Sequence, residues 1–462
     1  MSAPDIVTVE KFEILPSNSP ANGVYSFSSG TPLITFAIGK QAKLLRASSV
    51  RINGKFKVKQ SNGSSLDNLG LKAVSTTDVK INPRVGIHSA FQNVSILSNE
   101  TGQTLESVRQ YGRMVASILP SVQSEEDFLS HSGLIGKQTA EQDSCDAQLN
   151  NAMSFSVPLF SGIMQSGIAL PLGNNGLRGL SINIELSPDV NVLSSATPAS
   201  YVGAYYEISD LSISGDMLVP SAIEQEKMMV PSSGQFVFNT FQNLYSVLDS
   251  SDSTQNFNLA SSKVLSVFHN FLPTTHTNSL SFDGFATDEL KNINSGSGLY
   301  DDAVTLKKVS FSRGGLKLKL DYDIDVEVQS TQGIPETGVF VNAINSLQPF
   351  NSASKMLNQP QLYPFGTKDS VISTTSSSAP GTGQVIIQHP DTQVLKTVES
   401  DRNFAIGLNL DRISQQGMDF KSQAYSVRIQ STNDGASPIS MYTYYLAKNL
   451  LQYSPQGISV SS

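Results

Sequence analysis

A chain of 462 residues is too long for one ordinary core and suits two domains of roughly 200 residues each. Only 15% of it is charged and the net charge is −8, which argues against the basic field of a dedicated nucleic-acid surface. An apolar fraction of 39% in regular runs argues against disorder, and a single cysteine, Cys145, excludes an internal disulfide framework.

The first 30 residues read as an irregular N-terminal arm, with Pro4, Pro16, Pro20 and a Ser-Ser-Gly stretch. They lack the basic start and apolar core of a secretory signal. Strands follow. Val50, Ile52, Phe56 and Val58 alternate with Arg51, Asn53, Lys55 and Lys57, the period of a half-buried strand. Asn53-Gly54 inside that pattern marks a bulge or a tight hairpin. Residues 82–119 predict a strand over Phe91–Leu97, a turn over Asn99–Gly102 and a helix. The helical face carries Leu105, Val108, Tyr111, Val115 and Ile118, and Pro120 is expected to stop it. Leu180, Ile182, Ile184 and Leu186 predict another alternating strand, and Tyr205–Val219 a strand pair.

Pro220–Pro231 encloses SAIEQEKMMV, which predicts a short helical connector. A second strand series starts near Phe236 and includes Phe257–Leu272. Leu316–Val328 is the cleanest alternation. Thirteen residues there would span roughly 40 Å. A helix is predicted over Val339–Leu357, a loop over Ser370–Gly383, and strands over Phe404–Leu410, Tyr425–Ile429 and Met441–Leu446. The domain boundaries read as arm 1–30, first unit 31–220, connector 221–235, second unit 236–455 and tail 456–462. The fold class is all-β: two consecutive antiparallel sandwiches of about eight strands, with a few short helices in connections.

No catalytic constellation emerges, and no catalytic or cofactor-binding residue is assigned. There is no nucleophile elbow, phosphate-binding loop or dinucleotide fingerprint. Cys145 sits between Asp143 and Asp146, the wrong field for a reactive thiolate. Of the five histidines (His88, His131, His269, His276, His389), only His269 and His276 lie near each other, without a Cys/His cluster around them. Packing or surface roles outweigh zinc ligation. Asp321, Asp323, Asp325 and Glu327 share one strand face and form the weak metal candidate, a calcium-type carboxylate row. The competing reading is a solvated face shared with Lys317 and Lys319. Lys40, Lys43, Arg46, Arg51, Lys55, Lys57 and Lys59 form the one positive concentration, with subunit contact or solubility as its leading roles. Sequons at Asn62, Asn93 and Asn99 carry no expectation of glycosylation in a chain without an export signal.

The order of these elements resembles the double jelly-roll major capsid proteins of icosahedral double-stranded DNA viruses, on the polinton-like virus and virophage branch. Four stretches carry the resemblance. They are residues 82–119 (His88-Ser89-Ala90-Phe91, then Arg109-Gln110-Tyr111), Ala204–Pro220, Phe257–Pro273, and Phe404–Ser459 with FAIGLNL, YSVRIQS and MYTYYLAKNLLQYS. The resemblance implies that both sandwiches are eight-stranded jelly rolls. It also implies a homotrimer forming a pseudo-hexagonal capsomer, strands upright in an icosahedral shell, and self-assembly. The implied partners are other copies of the chain, neighbouring capsomers, and penton and minor capsid proteins. The arm would lie inside the shell, tying capsomers together or touching an internal membrane. The implied location is the virion, after synthesis in a host cell without a signal peptide, with no cofactor and no sequence-specific nucleic-acid binding. Two other classes compete: a secreted or surface β-sandwich binding module (carbohydrate-binding or adhesin-like), and an enzyme on a β scaffold. The lack of tryptophan counts against sugar-binding versions of both.

Overall fold

Every strand up to Pro220 pairs within one group of sheets, and every strand from Gly234 onward within another. The computed structural model describes residues 6–63, 79–81, 85–122, 153–195, 199, 202–274, 277–278, 306–318, 324–325, 386–388, 395–397, 406–411, 417–431 and 438–462.

In the first group a four-stranded antiparallel sheet runs in the order Leu33–Ile38, Leu180–Leu186, Phe91–Ser98, Thr104–Arg109. Leu180, Ile182, Ile184 and Leu186 are buried and Glu185 is exposed, as the alternation predicts. The facing sheet has seven strands built around Tyr205–Pro220. On one side that strand pairs with Arg51–Lys59 and Leu44–Arg46, on the other with Ile6–Ile14 and Val24–Tyr25. Phe56 and Tyr206 stack at 5.7 Å in the core between the sheets.

Several expectations change here. Tyr205–Pro220 is one sixteen-residue strand and not a strand pair. Its register slips where Ser209 pairs Lys55 and Ser212 pairs Asn53, so Asp210 and Leu211 together oppose Gly54. The Asn53-Gly54 signal therefore located a bulge, with the extra residue on the neighbouring strand. Gly54 is required there, because a Cβ would lie 2.8 Å from the Phe155 ring. The lead-in expected to be irregular contains the nine-residue strand Ile6–Ile14.

Leu105 and Val108 are buried, but on the strand Thr104–Arg109, which forms a hairpin with Phe91–Ser98. The helix starts at Tyr111 and runs to Val122, so Pro120 lies in its last turn. The helical spacing across 105–118 arose by chance alignment of a strand face with a helix face.

The connector forms the helix Ala222–Met229, as predicted. In the second group one five-stranded sheet follows the order Gly234–Leu248, Ile439–Ser454, Val264–Pro273, Ile406–Asn409. Gly457–Ser461, expected as a tail, folds back onto the end of Ile439–Ser454. The other sheet follows Asp252–Phe257, Tyr425–Ser431, Leu306–Arg313, Leu316–Lys317, with Ile324–Asp325 also on Leu306–Arg313.

Of the thirteen-residue strand expected over 316–328, the pieces Leu316–Lys317 and Ile324–Asp325 are described, with Leu316 78% exposed at the Gly314-Gly315 turn, and residues 319–323 and 326–328 lie outside the described residues. The longest described strands are Tyr205–Pro220, Ile439–Ser454 and, at fifteen residues, Gly234–Leu248. The helix expected over 339–357 and the loop over 370–383 lie outside the described residues. So do His131, Cys145, His276, His389, Asp321, Asp323 and Glu327.

At its centre, over Val264–Pro273 and much of Ile439–Ser454, the second group's first sheet is buried on both faces. Val264, Val267, Phe271, Met441 and Tyr445 join the core of the second sandwich, while Leu265, Phe268, Leu272, Tyr442 and Tyr444 join the core of the first. Adjacent residues thus enter different cores, and Val264–Leu272 is buried at every position.

Candidate functional site: the junction between the two sandwiches

Thr104–Arg109 is the edge of the first four-stranded sheet, and Gly234–Leu248 is the edge of the second group's sheet. The two edges meet without pairing as strands. Unpaired edge amides need acceptors when water is excluded, and side chains supply them. Asn243 Oδ1 accepts from Arg109 N at 3.2 Å.

Glu106 does more. A register slip opposite Ile96-Leu97 skips Leu105 and turns Glu106 inward, where it is 3% exposed. Its Oε1 accepts from Gly162 N at 2.8 Å and from Phe241 N at 2.6 Å, and its Oε2 accepts from Ile163 N at 3.1 Å. Gly162 and Ile163 open the one-turn helix Gly162–Gln165, capped by Ser161, whose Oγ accepts from Met164 N. One carboxylate therefore joins the first sandwich's edge, its helical turn and the second sandwich's first strand. Burial pushes the Glu106 carboxyl up to about 7 against the opposing pull of these N–H groups. Gly162 fits tightly: a Cβ would come within 2.6 Å of Thr240 Cα.

The helix Tyr111–Val122 lies in the same junction. Tyr444 Oη donates to Gln110 O at 2.9 Å, and Asn270 Nδ2 donates to Arg113 O and Ser117 Oγ at 3.2 and 3.1 Å. The Arg113 guanidinium sits 4.4 Å above the Tyr442 ring. Farther along, Arg178 donates to Ser454 O at 2.6 Å, fixing the end of the last long strand to the first sandwich.

Among the described residues each sandwich holds one buried histidine. His88 packs 5.2 Å from Phe160 and 6.0 Å from Tyr111, whose hydroxyl lies 3.4 Å from Nδ1 and accepts from Phe160 N at 2.9 Å. His269 is held at both nitrogens, by Thr443 Oγ1 and Tyr425 Oη, each at 2.8 Å. Burial pulls both imidazoles down to about 3, with Arg51 adding to the effect at His88. These are neutral, packed histidines.

Among the described residues no group of three or more His, Cys, Asp or Glu comes together. Asp325 lies on the short strand Ile324–Asp325, opposite Lys308. The basic set is spread along neighbouring strands and largely paired: Lys40–Glu100 at 2.8 Å, Lys43–Glu10 at 2.6 Å, Arg46–Asp216 at 3.7 Å, Lys55–Asp210 at 2.7 Å and Lys59–Glu207 at 2.8 Å. Arg51 donates to Ser156. These cations serve cross-strand contacts. Sequence reasoning did not single out Glu106, since a lone glutamate in a presumed helix reads as solvated. The available signal was its place between the apolar Leu105 and Val108.

Neither a family model nor a curated protein matches the chain. Solved structures do. A chain of the Sputnik virophage matches over 100% of this chain and 89% of its own, at 10% identity and a TM-score of 0.54. The capsid of the virus PBCV-1 matches over 100% and 98%, at 10% identity and 0.57. The mavirus major capsid protein matches over 100% and 92%, at 12% identity and 0.51. Identities this low speak to the fold, and they do so over both sandwiches at once. The chain has the double jelly-roll fold of viral major capsid proteins.

Proposed function

We propose that the protein is a major capsid protein, a structural subunit that trimerises into pseudo-hexagonal capsomers and self-assembles into an icosahedral shell of the virion. The observation that carries this reading is the full-length match of both sandwiches to capsid subunits. The junction supports it: two sandwiches locked by buried polar and aromatic contacts make one stiff block, as a shell tile requires. Low charge content also suits broad contacts between copies.

The partners in this reading are other copies of the chain, penton proteins and minor capsid proteins. The part of the expected arm assigned to capsomer or inner-membrane contact is the strand Ile6–Ile14, where Val7 and Val9 are 63% and 56% exposed. The reading assigns no catalytic, cofactor or metal site and no sequence-specific nucleic-acid binding.

Light scattering on the purified chain tests the first step. The expected species is a trimer of three 49.6 kDa chains, about 150 kDa, or a larger particle, and a strict monomer at assembly concentrations overturns the reading. Negative-stain electron microscopy tests the second. Val7→Glu with Val9→Glu is expected to leave trimers intact and abolish particles, and normal particles would remove the arm from the proposal.

A further inference from the structure

Glu106 is a buried carboxylate shared by both sandwiches, and among the described residues it has no ion pair. The elements that bond to it offer no cation to hold its charge, and Arg113, the buried cation of the junction helix, is engaged over the Tyr442 ring. The helical turn Gly162–Gln165 carries no ionisable side chain, Gly234–Leu248 carries only Tyr245, and Thr104–Arg109 carries only Arg109, whose side chain is exposed. Tyr111 is the one titratable group coupled to it, and Glu106 and burial both keep that phenol protonated. The charge of Glu106 is thus held by three backbone N–H groups and the Ser161 side chain, with no cation among its partners.

The two oxygens are not equivalent. Oε1 takes the two shorter bonds, from Gly162 and from Phe241 of the second sandwich, while Oε2 takes the single longer one from Ile163. The Ser161 side chain also bonds to the carboxylate. Of these three amide bonds, a proton placed on Oε2 therefore displaces only the one from Ile163. The remaining carbonyl oxygen keeps both other amides, at the weaker strength of a neutral hydrogen bond.

We propose that Glu106 is a proton-operated fastener between the two sandwiches. Ionised, it ties three amides with charge-assisted bonds across the junction. Protonated, it releases Ile163, keeps Phe241 through a neutral bond, and removes the cost of an unpaired charge in the interior. Both states are compatible with the same packing, so the junction titrates without coming apart. The inference concerns the isolated chain and does not rest on the capsid reading.

Amide hydrogen exchange by NMR on the intact wild-type chain, corrected for intrinsic rates, tests the assignment of the two oxygens. Between pH 8 and pH 5 the protection of Ile163 N–H is expected to fall about tenfold, the loss of one hydrogen bond. Gly162 and Phe241 are expected to stay within about twofold. Equal change at all three amides, or none at any, overturns the proposal.

Urea unfolding gives the second readout. The folding constant of the wild type should fall on the order of a hundredfold more than that of Glu106→Gln as pH rises from 4.5 to 8, because a raised carboxyl favours the folded state only while protonated. Identical pH slopes in the two proteins would also overturn it, and the exchange measurement decides the matter alone if Glu106→Gln does not fold.

Discussion

Each sandwich has near its end a sixteen-residue strand that pairs antiparallel with the strand opening its group. Tyr205–Pro220 pairs with Ile6–Ile14, and Ile439–Ser454 with Gly234–Leu248. In the first sandwich the opening strand is solvent-exposed along seven of its nine residues. In the second, the central strands of the corresponding sheet are covered on both faces, by their own core and by the first sandwich, and the opening strand Gly234–Leu248 is exposed at only four of its fifteen residues. Single-sided burial leaves an alternation that water enforces. Double-sided burial erases it and requires every polar side chain on the inner wall to find a partner. Thr443 does so on His269, and the amide nitrogens of Asn270 and Asn449 do so on Arg113 and Ser117 and on Thr240, while their Oδ1 atoms are left unpaired. The buried histidines show the same contrast, since His269 is bonded at both nitrogens while His88 is held mainly by ring packing.

The largest effect is expected where the two sandwiches touch. Gly162→Ala drives a methyl group into the backbone at Thr240 and should cost about 3 kcal/mol in urea unfolding. A loss below about 1 kcal/mol would mean that the second sandwich is not seated firmly on the first. His269→Phe comes next. It strands the hydroxyls of Tyr425 and Thr443 and should cost about 2–4 kcal/mol, whereas His88→Phe should stay within about 1 kcal/mol. Equal costs would erase the contrast between the two histidines.

Acid should then act on both. Burial depresses each imidazole to about 3 from its ordinary 6.5, so its contribution is present above pH 6.5 and is lost as pH falls toward 3. The loss is about 1.4 kcal/mol per pH unit for each group. Glu106 works in the opposite direction between 4.5 and about 7. Urea midpoints across pH 4–8 should therefore show a shallower acid loss in the double variant His88→Phe, His269→Phe than in the wild type. The smallest effect belongs to the paired surface cations: Lys59→Met should cost under about 1 kcal/mol by the same measurement.

What the sequence made legible follows the same division. Arg51–Lys59 and Leu180–Leu186, buried on one face, were readable by period, and the connector helix by its charged pattern between prolines. Val264–Pro273 was recognisable as a strand but not as a wall between two cores, because a run of buried residues carries no direction. The start of the helix at Tyr111 was missed since Leu105 and Val108 happen to extend its spacing backward. Glu106 was hidden for another reason. Its role depends on Gly162 and Phe241, which share no local pattern with it and meet it only through the junction.

The long closing strands set an order of events during synthesis. Ile6 meets Pro220, and Gly234 meets Tyr453, across on the order of two hundred residues of chain, a separation that makes closure slow. As the ribosome delivers the chain from its N-terminus, the first sandwich receives its last strand before any of the second exists. At that stage Glu106 has its two donors from the turn at Gly162 and lacks the third from Phe241. The nascent first sandwich thus waits with an apolar wall and a half-satisfied carboxylate open to water, a surface for chaperones to shield until the second half arrives.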